Sequence, residues 1–322
     1  MNRFVPSICL LAFFALSLLP AQDNVGLKIE GNVAFTEGPA WHAATKNVYF
    51  TDIENNRIMR RDPTGKMHVF RTPSGRANGL LFDKKGRLHA CEGGREGGNF
   101  RVTRTELDGS ITVLTDRFEG KRYNSPNDLV VDSKGRIFFT DPRYGDRGDM
   151  EILDDKGKPI EGVYRIDPDG SVSMIIAHEV DRPNGIGISA DQKHLFVADN
   201  ANDKPGQNRK LWRFDLKADG TVDKASQKEL FNWETDRGPD GFAVGEDGKL
   251  YVTAGFNFPS LPAQTVKKYK AGIYVIDPDG AGLDRFIPVP ADMITNCTFG
   301  GDDGKTLFIT AGHFLWSIPI EY

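Results

Sequence analysis

Residues 126–141 read PNDLVVDSKGRIFFTD. A polar residue, Asn127, opens the segment behind a proline. A short apolar run follows, then a D-x-x-G turn, then a second apolar run that ends on an acid. Two short apolar runs separated by a Gly-containing turn predict a β-hairpin. The pattern recurs as TEGPAWHAATKNVYFTD from Thr36, ANGLLFDKKGRLHACEG from Ala77, PNGIGISADQKHLFVAD from Pro183, PDGFAVGEDGKLYVTAG from Pro239 and TNCTFGGDDGKTLFITAG from Thr295. The residues in the opening polar slot are Glu37, Asn78, Asn127, Asn184, Asp240 and Asn296, at spacings of 41, 49, 57, 56 and 56. A second strand pair follows most copies, as in residues 162–176, 210–222 and 272–280. Four strands per unit at this period predict an all-β chain folded as a six-bladed β-propeller, four-stranded blades around a central channel. The last unit has only about three strands before Tyr322. Residues 26–33 (GLKIEGNV) are expected to supply its outer strand and close the ring. Six copies of one pattern argue against the alternative of two unrelated β-sandwiches.

The chain has 322 residues, with 41 Lys+Arg against 45 Asp+Glu and a formal net charge of −4. That balance excludes a broad basic surface for nucleic acid or anionic membrane. Gly 35 and Pro 18 leave little room for long helices. Residues 8–19 (ICLLAFFALSLL) are too few to span a bilayer and follow Arg3, as the apolar part of a signal peptide would. The expectation is a signal at 1–21, cut after Ala21, and a mature propeller at 22–322. The protein is then exported, periplasmic or secreted, with no membrane contact after cleavage. Cys91 and Cys297 remain after cleavage, and their spacing does not decide whether they pair.

The first strand of each propeller blade lines the channel, so the six slot residues converge on one mouth. Each is an oxygen donor, and none is His or Cys. Oxygen-only ligation suits Ca²⁺, Mg²⁺ or Mn²⁺ better than Zn²⁺. Glu37 and Asp240 would neutralise a divalent ion, and asparagine carbonyls would complete its shell. Asn78 and Asn296 are equally readable as turn residues. A second polar layer ends the next strand: Asp52, Glu92, Asp141 and Asp199. These side chains either orient the slot residues, bind substrate hydroxyls or cap the strand. His313 reads as a packed structural residue. The chain has no G-x-S-x-G elbow and no phosphate-cradling loop.

Four motifs together resemble the SMP-30/gluconolactonase/luciferin-regenerating-enzyme family of six-bladed propellers. They are TEGPAW (36–41), SPNDL (125–129), RPNGIGIS (182–189) and PDGFAV (239–244). The resemblance runs over essentially the whole mature chain. It implies one divalent metal at the channel mouth, most often Ca²⁺, with Mg²⁺, Mn²⁺ or Zn²⁺ as alternatives. The implied ligands are Glu37, Asn184 and Asp240, with Asn127 a fourth ligand or a substrate contact. It also implies hydrolysis of a small sugar lactone; the expected mechanism has water attack either bound to the metal or activated by Asp240 as general base. Animal members carry Arg where Ser125 stands here; Arg182 or Tyr144 would substitute, and Asp199 is a further expected substrate contact. The expected state is a monomer or dimer. The rival readings are a phosphotriesterase-like hydrolase and a non-catalytic ligand-binding propeller.

Overall fold

The structure, a computed structural model, describes residues 26–322 except Arg95, Pro205, 260–263 and Ala281. The expected signal segment, 1–21, lies outside the described residues. No helix forms among those described. Six four-stranded antiparallel sheets make the blades, and one two-stranded hairpin, Arg117–Phe118 with Lys121–Arg122, stands apart. Blade 1 runs Thr36–His42, Asn47–Asp52, Arg57–Arg61, Met67–Arg71. Blades 2 to 5 repeat that order, starting at Ala77, Leu129, Pro183 and Phe242. Blade 6 takes Ile294–Gly300, Thr306–Ala311 and Phe314–Pro319 from the C-terminal end. Its outer strand is Lys28–Asn32, paired with Phe314–Pro319.

The core lies between blades. Phe138 and Val163 of blade 3 pack with Leu195, Val197 and Phe214 of blade 4. Across the closure, Val48, Phe50 and Met59 of blade 1 meet Phe308 and Leu315 of blade 6. Burying both faces of each sheet in this way is what turns flat hairpins into a ring. Cys91 and Cys297, in blades 2 and 6, are buried free thiols.

The glycines after the slot residues are there for contact between blades. Gly79 N–H donates to the Asn127 carbonyl at 2.7 Å, Gly185 to that of Asp240 at 3.0 Å, and Gly241 to that of Thr295 at 2.6 Å. A Cβ on Gly79 or Gly185 would stand 2.6 Å from the oxygen that its own N–H binds. Only glycine permits so close an approach. Threonine hydroxyls add to the seam: Thr140 donates to the Asn184 carbonyl at 2.7 Å, and Thr295 to that of Thr36 at 3.0 Å.

Candidate functional site

A cavity of about 350 Å³ opens at the mouth where the inner strands begin. Glu37, Asn78, Asn127, Asn184 and Asp240 all line it. Each comes from a different blade, so the ring brings together residues up to 203 positions apart in sequence. Asn296, the sixth slot residue, does not reach this cavity. Its Nδ2 donates to Asp128 Oδ2 at 3.2 Å and its Oδ1 accepts from the Cys297 N–H at 2.8 Å. Asn296 belongs to blade 6 and Asp128 to the start of blade 3, which face each other across the ring. Their hydrogen bond therefore spans the channel. Below it lies a second cavity of about 290 Å³ with mostly apolar walls.

Glu37 and Asp240 are only 5% and 6% exposed. Burial, then the neighbouring charge of Asp240, pushes the Glu37 carboxyl well above the usual range, against the opposing pull of the Gly38 N–H. Burial also raises Asp240, although the Arg237 guanidinium pairs with its Oδ2. Asp240 Oδ1 is buried with no hydrogen-bond partner. The side chains of Asn127 and Asn78 make no hydrogen bond among the described residues. Asn184 Nδ2 donates to the Tyr144 hydroxyl at 2.7 Å, and that hydroxyl donates to Asn200 Oδ1 at 3.2 Å.

These features fit a hard cation. Two buried carboxylates repel each other, one of their oxygens is unspent, and the amides beside them offer neutral oxygens. Among the described residues there is no cluster of three or more His, Cys, Asp or Glu that could hold a metal. A cation held here would therefore depend on asparagine oxygens as well as on Glu37 and Asp240.

Two acids of the second polar layer, Asp141 and Asp199, hold the backbone just ahead of slot residues, whereas Glu92 bonds the side chains of Arg71, Asn99, Arg101 and Thr103. Asp141 accepts the N–H groups of Asn124 and Ser125 at 2.8 and 2.7 Å, just ahead of Asn127. Asp199 accepts those of Asp181 and Arg182 at 3.0 Å each, just ahead of Asn184, and the Trp212 indole at 3.2 Å. The expectation that Asp199 touches substrate is therefore corrected: it is fully buried, spends its oxygens on these donors and does not line the cavity. Burial lifts both acids to about 7. Tyr144 and Arg182 do line the cavity. Arg182 is 1% exposed, pairs with Glu161 and Asp203, and lies over the Tyr144 ring. Ser125, also on the wall, accepts the Gly94 N–H at 2.9 Å. His313 is exposed rather than packed: its Nδ1 hydrogen-bonds the Ala34 carbonyl at 2.6 Å, and it does not line the cavity.

Several wall residues escaped the sequence reading: Arg237, Arg143, Arg76, Asn200 and Gln264. A signal for two of them was present. Arginine precedes the slot in RANG (76–79) and RGPDG (237–241), as it does in RPNG (182–185). Asp128 follows a slot rather than filling one, and no repeat marks it.

A family profile described as the SMP-30/Gluconolactonase/LRE-like region matches residues 35–313. A gluconolactonase of Zymomonas mobilis is 29% identical over 303 residues, 88% of this chain and 78% of that protein. A pentonolactonase, XacC, of Haloferax volcanii is 28% identical over 280 residues, covering 85% and 80%. Among solved structures, a gluconolactonase from Xanthomonas campestris superposes with a TM-score of 0.74 at 30% identity, covering 92% of this chain and 89% of that one.

Proposed function

Since the chain belongs to the SMP-30/gluconolactonase/LRE-like family, we propose that it hydrolyses a small sugar lactone at the Glu37–Asp240 site with one divalent cation, Ca²⁺ by preference. The observation that carries this is a pair of buried carboxylates, one oxygen unspent, in a cavity walled by amides and arginines. Such walls suit a hydroxylated substrate better than an apolar phosphotriester. The relatives named gluconolactonase and pentonolactonase support the same class.

Glu37, Asp240 and Asn184 would hold the cation, with Asn127 beside them. When bound, it supplies Lewis-acid polarisation of the acyl carbonyl and stabilises the negative charge that develops there. Arg237 ties down Oδ2 of Asp240, so Oδ1, which has no protein partner, would both face the cation and receive the proton of the attacking water. As the water oxygen adds to the acyl carbon, Oδ1 takes its proton. The bond from the acyl carbon to the ring oxygen then breaks, and the proton passes to that oxygen. The product is the open hydroxy acid. Tyr144 holds the side chain of Asn184, and Asp199 holds the backbone of Asp181 and Arg182 just ahead of it, rather than exchanging protons.

A lactone panel with and without chelator tests the reading. Turnover that chelation abolishes and Ca²⁺ restores is the expected result. Asp240→Asn should lose activity on the order of 10²–10³-fold. Near wild-type turnover by metal-saturated Asp240→Asn would remove Asp240 from its role. Tight metal without turnover of any lactone would favour a binding propeller, and turnover of a fluorophosphate alone would favour a phosphotriesterase.

A further inference from the structure

Arg76 stands on the wall of the same cavity with a backbone φ of +53°. A β-carbon makes that left-handed conformation unfavourable, and arginine gains nothing locally from it. The conformation is imposed. Asn56 Oδ1 accepts the N–H groups of Ser74 and Arg76 at 3.1 and 2.7 Å and the Ser74 hydroxyl at 3.1 Å. The turn so fixed sends the guanidinium along the cavity rim. There, Nε donates to the Glu96 carbonyl at 2.8 Å, and Nη1 reaches the Ile53 carbonyl and Glu54 at 3.3 and 3.1 Å. The second terminal nitrogen, Nη2, has no partner among the described residues.

The other wall arginines separate into two kinds. Arg237 spends its terminal nitrogens on the Ile294 carbonyl and on Asp240. Arg143 spends its own on the Gly94 and Asn124 carbonyls and on Asp149. Arg182 pairs through Nε and Nη2 and leaves Nη1 without a partner, although the residue is 1% exposed. Two guanidinium ends, Arg76 Nη2 and Arg182 Nη1, are thus left on the wall with donors only. Guanidinium donors are best satisfied by a carboxylate, which accepts charge-assisted and paired bonds that a hydroxyl cannot match.

Resting on the lactone reading above, we propose that Arg76, with Arg182, binds a carboxylate carried by the sugar, so that the preferred substrates are acidic sugar lactones rather than neutral ones. Arg76 is then a specificity-determining residue, and its backbone strain is retained because it aims the side chain into the cavity.

The γ-lactones of glucaric and gluconic acid test this, since they differ only by a carboxylate in place of the terminal hydroxymethyl group. Wild type should favour the glucaric lactone in kcat/KM by about tenfold or more. In Arg76→Gln and Arg76→Gly that preference should fall toward unity, through a rise in KM for the glucaric lactone. Arg76→Gly relieves the strained φ, which offsets the loss of the bonds to Glu96, Ile53 and Glu54, so its Tm should stay above that of Arg76→Gln while both lose selectivity; a residue needed only for the fold would reduce turnover of both lactones equally. A wild type that prefers the gluconic lactone, or variants that keep the glucaric preference, would overturn the assignment. If wild type opens neither these nor any other lactone of the panel, the hydrolytic reading fails by itself. Calorimetric titration of chelator-treated protein with glucarate and with gluconate still decides the carboxylate site. Glucarate should bind more tightly than gluconate, and Arg76→Gln should lose the difference. Equal binding would sink the proposal.

Discussion

Asp240 and Glu37 are costly residues for a fold to carry. Each is almost fully buried, and burial raises both carboxyls from their ordinary range. Two like charges in one site destabilise the chain that holds them unless a cation sits between them. Glu37→Gln keeps the shape and removes one charge. In chelator it should raise stability by about 1–2 kcal/mol; in excess Ca²⁺ the order should reverse, because wild type gains more from binding. Thermal melts in the two buffers read this directly, and equal melting shifts for both proteins would deny that Glu37 is a ligand. His89 gives a separate effect. It is 2% exposed, its Nδ1 lacks a partner, and burial lowers its pKa from 6.5 to about 4. The folded state therefore binds fewer protons than the unfolded chain between those values, and stability is lost as pH falls through that window. The loss should reach ~3 kcal/mol by pH 4. His89→Leu should flatten that acid limb, and an unchanged pH profile would exclude His89 as its source. At this scale the sequence showed what repeats. Glu37, Asn127, Asn184 and Asp240 were readable because a slot recurs before each inner strand. Asp128 was not, because its role comes from which blades face each other, and no local pattern encodes that; Arg76 and Arg237 do stand ahead of a slot, as Arg182 does, but the pattern does not say what each guanidinium meets.

The hairpin carries the next level of organisation. Pro-Asn-Gly and Pro-Asp-Gly read as turn sequences, yet Gly185 is not a turn glycine: its N–H binds the Asp240 carbonyl of the next blade, in blade 4's inner strand. A Cβ on Gly185 would meet the Asp240 oxygen at 2.6 Å, Gly241 Cα at 2.8 Å and Phe242 Cδ1 at 2.9 Å. Backbone cannot swing aside as a side chain does, so Gly185→Ala should cost about 1–3 kcal/mol of stability. It should also displace Asp240 and lower turnover beyond what the lost stability explains. A variant that melts early but retains full kcat would show that the blade seam and the site are uncoupled. The strand count, the blade order and the closing strand were all legible from alternation and turn spacing. The acids of the second polar layer were not assigned to one role, because an acid at a strand end has the same sequence whether it faces solvent, substrate or the preceding loop. Asp141 and Asp199 face the preceding loop, each receiving two backbone N–H groups from the residues just ahead of a slot asparagine.

Over the whole molecule, the site exists only because the ring is shut. Glu37 opens blade 1 and Asp240 leads into blade 5, so they come near each other only if blade 6 is complete between them. Completion depends on the strand Lys28–Asn32, in register with Phe314–Pro319 as Lys28 to Ser317 and Asn32 to Phe314. That strand also binds the neighbouring blade: Glu30 pairs with Arg61, and Gly31 lies against Met67. Glu30 Oε1 accepts the Ser317 hydroxyl at 2.8 Å as well. Removing residues 26–32 would leave Phe314–Pro319 as a bare strand edge beside Trp316, which is otherwise buried. Unpaired edges lose ladder bonds and recruit other chains. The truncated protein should melt roughly 10 °C lower, aggregate on heating and bind Ca²⁺ more weakly than the full chain. Adding a synthetic peptide of residues 26–33 should recover part of the metal affinity, since it restores the strand pairing and the Glu30 and Gly31 contacts to blade 1. If the truncated protein kept its melting temperature and metal affinity, then the last three strands would close the ring unaided, and the coupling of ring closure to the Glu37–Asp240 site would be wrong.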